Sequence, residues 1–197
     1  ITSVNVVDVA SGRVLANRTV TIKGDAIVSV AAGAPPRGSR IVNGSGKFLI
    51  PGLWDMHAHL EAAGPSALDL YVANGVTGIR DMGALLTLER QKQIAAHVET
   101  GEISGPRVIL SGAWIDASPG SWPGMFLAGT PAEGRGRVDE IAGQGWAAAK
   151  SYSMLAEDTY LAIADEAKKR RIALVGHIPE SVTLDTAIEA GQNGMEH

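Results

Sequence analysis

Pro51-Gly52-Leu53-Trp54-Asp55-Met56-His57-Ala58-His59-Leu60 is where the chain changes character. Pro51-Gly52 is a breaker, and the run from Leu53 to His59 reads as a β-strand. Strand side chains alternate faces, so His57 and His59, two residues apart, point the same way at the end of the strand. Alone, the pair reads equally as a metal site or as two buried imidazoles bonded to neighbours.

Downstream, strand and helix alternate. Thr77 to Met82, Arg107 to Ile115, Trp146 to Tyr152 and Ile172 to Ile178 read as further strands, and Met195 to His197 as the start of a sixth. Helices are expected near Pro65 to Ala73, Leu85 to Glu99, Pro131 to Ala142, Glu157 to Arg170 and Val182 to Ala190. The Gly/Pro/Trp-rich stretch from Asp116 to Gly129 reads as a loop. Repeated β/α units with short apolar strands imply a parallel sheet covered by helices. Six strands in series, with no Gly-rich phosphate loop after the first, favour an α/β fold of the (β/α)8 TIM-barrel type over a doubly wound dinucleotide fold. A complete barrel takes eight units and about 250 residues, so residues 51–197 read as barrel strands one to six of an unfinished barrel.

Upstream, residues 1–50 read as a small β domain. Val4 to Val9, Arg18 to Ile22, Ala26 to Val30 and Lys47 to Ile50 are strand-like, and Lys23-Gly24-Asp25 is a tight hairpin signal. About 50 residues of this kind are too few to bury a large core alone.

Three more residues bear on the chemistry. His177 closes Leu174-Val175-Gly176-His177, and His197 closes Gly194-Met195-Glu196-His197. Four of the five histidines thus end predicted barrel strands, whose C-terminal ends converge on one mouth, and a metal is the economical reason for four imidazoles there. His97 lies in a predicted helix and reads as a surface residue. Lys150 sits in the apolar run Trp146-Ala147-Ala148-Ala149-Lys150-Ser151-Tyr152. An unpaired buried ammonium is costly, so Lys150 either reaches a carboxylate or snorkels out, or else is a neutral amine able to take up carbon dioxide as a carbamate.

Composition narrows the function classes. The 197 residues are 45% hydrophobic and 19% charged, as in a globular protein. A net charge of −4 argues against nucleic acid and against an anionic membrane surface. Cysteine is absent, which removes disulfides, thiolate metal sites and a Cys nucleophile. No apolar run approaches the roughly 20 residues that span a bilayer. The chain opens at Ile1 without Met or leader, which reads as a trimmed chain, a fragment or a mature protein, cytoplasmic or periplasmic.

The first-strand stretch Pro51 to Leu60 resembles the signature of the amidohydrolase superfamily. The stretches Gly101 to Gly112, Gly145 to Leu155, Val175 to Glu180 and Ala190 to His197 are similar, in order and spacing, to blocks of its prolidase-like and imidazolonepropionase-like branch. The resemblance implies that residues 1–50 are part of a composite β-sandwich. It implies two divalent metal ions, zinc first among candidates: His57 and His59 on the more buried ion, His177 and His197 on the more exposed one, and carboxylated Lys150 bridging them. The remaining ligand of that family, an Asp closing strand eight that also shuttles the proton, has no counterpart within residues 1–197. Asp55 reads as a partner orienting an imidazole, and Asp81 as closing a strand end or binding Arg80. Tyr152, on the strand face of Lys150, is placed to donate to a substrate carbonyl or carboxylate, or else simply packs. Trp122, Met125 and Phe126 are placed to wall the pocket or to pack on a neighbouring loop. The implied reaction is hydrolysis of an amide or cyclic amide C–N bond in a small molecule. Lactone or phosphoester hydrolysis by the same site, and an inactive fragment of such an enzyme, are the alternatives. Self-association into a homo-oligomer is left open.

Overall fold

The computed structural model describes residues 1–60, 64, 66–83, 87–111 and 113–197. The expected helix starts at Pro65 and Leu85, and Gly112 in the expected third strand, lie outside the described residues. The chain divides into two compact units, Ile1–Gly52 and Leu53–His197.

The first unit holds β1 (Val4–Asp8), β2 (Arg13–Lys23), β3 (Ala26–Ala31) and β4 (Phe48–Leu49) in one sheet of order β3-β2-β1-β4. β2 pairs antiparallel with both β1 and β3, and β4 joins β1 in parallel. Lys23 pairs with Ala26, so the chain reverses over Gly24 and Asp25 as the hairpin signal requires. β2 begins earlier than the sequence pattern indicates, because Val14 and Leu15 pair with Val7 and Val6. Val4, Thr19 and Val20 are buried, whereas β3 is exposed along its whole length. This unit is a single four-stranded sheet, and one layer is what about 50 residues can build.

The second unit alternates strand and helix. It contains β5 (Leu53–Ala58), α1 (Ala67–Ala73), β6 (Val76–Asp81), α2 (Leu88–Glu99), β7 (Arg107–Leu110), β8 (Trp114–Asp116), β9 (Phe126–Leu127), α3 (Pro131–Gln144), β10 (Ala148–Ser151), α4 (Glu157–Arg170), β11 (Ala173–Gly176), α5 (Leu184–Ala190) and β12 (Gly194–Met195). All its strand pairings are parallel, in the orders β5-β6-β7 and β12-β11-β10-β8-β9. The segment 107–116 belongs to both runs. Its first half pairs with β6, and the amides of Ala147 and Lys150 donate to Leu110 and Ala113 on its other side, at 3.2 and 3.3 Å. Six parallel positions therefore follow chain order, as in the wall of a TIM-type barrel, and the described residues form no closed barrel. Beyond β6, the exposed side of β8 is taken by β9. A short strand thus stands inside the stretch expected to be loop alone.

Local chemistry explains the helices. Thr130 caps α3 by accepting from the Glu133 amide, Pro131 takes the first position, and Gly145 ends it with φ 82°. α4 starts on Glu157 and Asp158 and ends on Lys168, Lys169 and Arg170, each sign at the end the helix dipole favours. Its stripe of Tyr160, Ile163, Ala164 and Ala167 packs with Val138 and Ile141 of α3 and with Ala149 and Leu174 of the sheet. Ala148, Val175 and Met82 form a separate cluster on the opposite sheet face. Alternation along β10 puts Lys150 on the face of Ala148, away from the helices. No helix among the described residues is long and apolar enough to cross a membrane.

Candidate metal centre

The residues singled out from the sequence come together at the C-terminal ends of these strands. His57 lies in β5 and His59 just beyond it, Lys150 in β10, His177 directly after β11, and His197 two residues after β12. The Nε2 atoms of His57 and His59 are 3.2 Å apart, and Lys150 Nζ is 3.3 Å from His57 Nε2. The His197 ring centroid lies 4.6 Å from that of His57 and 5.1 Å from that of His177. Lys150, 1% exposed, also carries its Nζ 4.9 Å over the Trp114 ring.

Three of the imidazoles are aimed by a bond at Nδ1. His59 Nδ1 donates to the Gly83 carbonyl at 3.1 Å; a carbonyl only accepts, so His59 carries its proton on Nδ1. His57 Nδ1 is 2.7 Å from Glu196 Oε2, and His177 Nδ1 is 2.9 Å from Ser153 Oγ. Glu196 is held in turn by Arg80, whose Nε donates to the Met56 carbonyl at 2.7 Å. Burial, and then the charge of Lys150, push the His57 pKa below the usual histidine range, against an opposing pull from Glu196. Burial, Lys150 and the neighbouring His197 and His57 lower that of His177. Neutral imidazoles are the form that binds a metal ion.

The backbone brings these side chains to one place. Ser151 Oγ donates to the carbonyls of Val175 and His177, and its own carbonyl accepts from the His177 amide at 3.0 Å. Gln192, beneath the last strand, donates through Nε2 to the carbonyls of Gly176 and Gly194, both at 3.0 Å, and accepts from the Tyr160 hydroxyl at 2.6 Å. His197 adopts φ 68°, so strand alternation ends there, and Glu196 and His197 both reach His57 instead of facing opposite ways.

An aromatic wall flanks the cluster. The Tyr152 ring stacks between His177, 4.1 Å away, and Trp114, 5.4 Å away, and its hydroxyl accepts from Trp122 Nε1 at 2.8 Å. Trp122 therefore stands at the site, whereas Phe126 packs against the α3–α4 core. Met125 accepts a bond from the Trp122 amide through its sulfur and holds the loop. Asp55 does not orient an imidazole by any bond seen here: its carboxylate accepts from the His57 backbone amide at 3.0 Å. Glu196 takes that orienting role, and the sequence reading missed it, together with Arg80, Ser153 and Trp114. Asp81 closes a strand end, accepting from the amides of Leu60 and Gly83, while Arg80 turns to Glu196. His97 lies on the surface beside Glu102.

Among the described residues, no group of three or more His, Cys, Asp or Glu side chains is gathered tightly enough to hold one metal ion. His57 and His59 bring their Nε2 atoms together, the His197 ring lies between those of His57 and His177, Lys150 stands beside His57, and imidazole nitrogens are donors that suit divalent ions. His57 and His59 use Nδ1 for Glu196 and for the Gly83 carbonyl, which leaves their Nε2 atoms facing each other, an arrangement that a shared cation satisfies.

No protein-family model matches the sequence, and no curated protein matches it. Solved structures do. Bottromycin amidohydrolase superposes with a TM-score of 0.79 at 22% identity, over 96% of this chain and 41% of that one. A prolidase solved with N-methylphosphonate-L-proline gives 0.75 at 22%, over 100% of this chain and 60% of that one. The ochratoxinase of A. niger gives 0.67 at 20%, over 98% and 58%. The chain has the fold of these proteins and spans between two fifths and three fifths of their length.

Proposed function

We propose that the protein is a metal-dependent hydrolase of an amide or cyclic amide C–N bond in a small molecule. The observation that carries this is the meeting of His57, His59, His177, His197 and Lys150 at the C-terminal ends of parallel strands. The neighbours' names, a prolidase, a bottromycin amidohydrolase and an ochratoxinase, support a C–N bond over a lactone or phosphoester. The reaction is proposed for a protein carrying the rest of that fold, including the carboxylate that would move the proton from water to the leaving nitrogen.

His57 and His59 would hold one divalent ion and His177 and His197 a second, with Lys150 between them as a carbamate. When bound, such ions, zinc by preference, supply the Lewis acidity that polarises a scissile carbonyl and acidifies an attacking water. In forming the carbamate, the neutral Lys150 amine attacks the carbon of carbon dioxide, one C=O electron pair moves onto oxygen, and the nitrogen gives up a proton. Tyr152 accepts from Trp122, which leaves its own proton to donate to a substrate carbonyl or carboxylate. Trp114, buried against Lys150 and His59, covers one side of the cluster, and Trp122 stands half exposed at its rim. Zinc titration with metal analysis tests the reading: two ions per chain are expected, with loss on Lys150→Ala. No bound metal at neutral pH overturns it.

A further inference from the structure

We propose that Glu196, clamped by Arg80, is a positioning residue that sets the tautomer of His57 and thereby decides which ring nitrogen faces the site. The consequence for a metal rests on the reading above; the tautomer is a property of the chain itself.

The two oxygens of Glu196 do different work. Oε1 accepts from Arg80 Nη2, and Oε2 lies 2.7 Å from His57 Nδ1, with the carboxylate largely buried. Arg80 is anchored by a second bond, from its Nε to the Met56 carbonyl, so the carboxylate is fixed between β5 and β6. An ionised carboxylate only accepts. His57 Nδ1 must therefore carry the proton, and Nε2 presents a lone pair toward His59 Nε2 at 3.2 Å and Lys150 Nζ at 3.3 Å. In the other tautomer, Nε2 would present a hydrogen to the site and lose its capacity as a ligand.

Glu196→Gln tests this with almost no change of shape. Arg80 takes the amide oxygen, so the amide NH2 turns to Nδ1, which must then accept, and the proton moves to Nε2. Long-range 1H–15N correlation spectra of the 15N-labelled, metal-free chain at mildly alkaline pH read the tautomer directly, with His57 assigned from His57→Gln. The expected result is an Nδ1–H imidazole at His57 in the wild type and an Nε2–H imidazole in Glu196→Gln. Zinc affinity, measured by chelator competition, is expected to fall roughly 10–100-fold in the variant. An Nε2–H tautomer in the wild type overturns the proposal without need of any variant. So does a Glu196→Gln chain that keeps both tautomer and zinc affinity. A tautomer that switches as expected in a chain that binds no zinc upholds the positioning role and removes the metal reading instead.

Discussion

Gly176 and Ser151 face each other across β11 and β10 so closely that a Cβ on Gly176 would collide with the Ser151 carbonyl oxygen. The same Cβ would stand 2.8 Å from Lys150 Cγ, and the residue holds φ 116°, a conformation closed to ordinary side chains. Gly176→Ala therefore strains the backbone and pushes on Lys150 at once. We expect a loss of at least about 2 kcal/mol in urea unfolding, with zinc binding weakened in the surviving folded fraction. Unchanged stability would mean that the two strands are less tightly apposed than described.

Gln192 joins Tyr160 of α4 to the carbonyls of Gly176 and Gly194. Truncation to alanine leaves the buried Tyr160 hydroxyl without its acceptor and removes one donor each from the Gly176 and Gly194 carbonyls, of which Gly176 keeps the Glu196 amide. Gln192→Ala should cost about 2–4 kcal/mol, measured by chemical denaturation. Both carbonyls lie within three residues of a site histidine, so hydrogen exchange should also accelerate at the ends of β11 and β12.

Alkaline pH should expose the burial of Tyr160, whose phenol is pushed up to about 12 by desolvation. The unfolded chain ionises its tyrosines near 10. Between these values the unfolded state has released a proton that the folded state keeps, so stability falls as pH rises through that window and is fully present below it. Tyr160→Phe should flatten this part of the pH–stability curve. A wild-type curve with no alkaline decline would contradict the burial.

The charge on Lys150 is readable through its neighbours. It depresses His57 and His177 in the unmodified, metal-free chain. Lys150→Met should move both histidine titrations upward, by NMR. Bicarbonate should do the same to the wild type if the amine is carboxylated, since an anion then replaces a cation. A downward move in Lys150→Met would show that the lysine is already anionic.

The repeating units were legible in the sequence because strand and helix periods differ, and α4 begins and ends where its charges and apolar stripe indicate. The four histidines and Lys150 were legible because polar residues on apolar strands stand out. Glu196 did not stand out: beside His197 on a strand it should face the other way, and only the left-handed backbone at His197 brings both to His57. Ser153 and Arg80 are ordinary polar residues whose roles come from what lies across the sheet. β9 escaped notice because a two-residue strand has no periodicity, and its partner edge exists only once β8 has run past β6. The sequence leaves Trp122 open between the pocket wall and a neighbouring loop, because its partner Tyr152 comes from a strand 30 residues on.

The bond between His57 and Glu196 joins residues 139 apart in sequence, from β5 to the residue that follows β12. Anything that binds both ends of that span acts as a clasp on the curvature of the sheet. Its binding energy then becomes resistance to unfolding, rising as RT ln(1 + [L]/Kd) with free ligand. The candidate site and the curvature of the sheet are thus one thermodynamic object, and a variant that loosens either is felt in both.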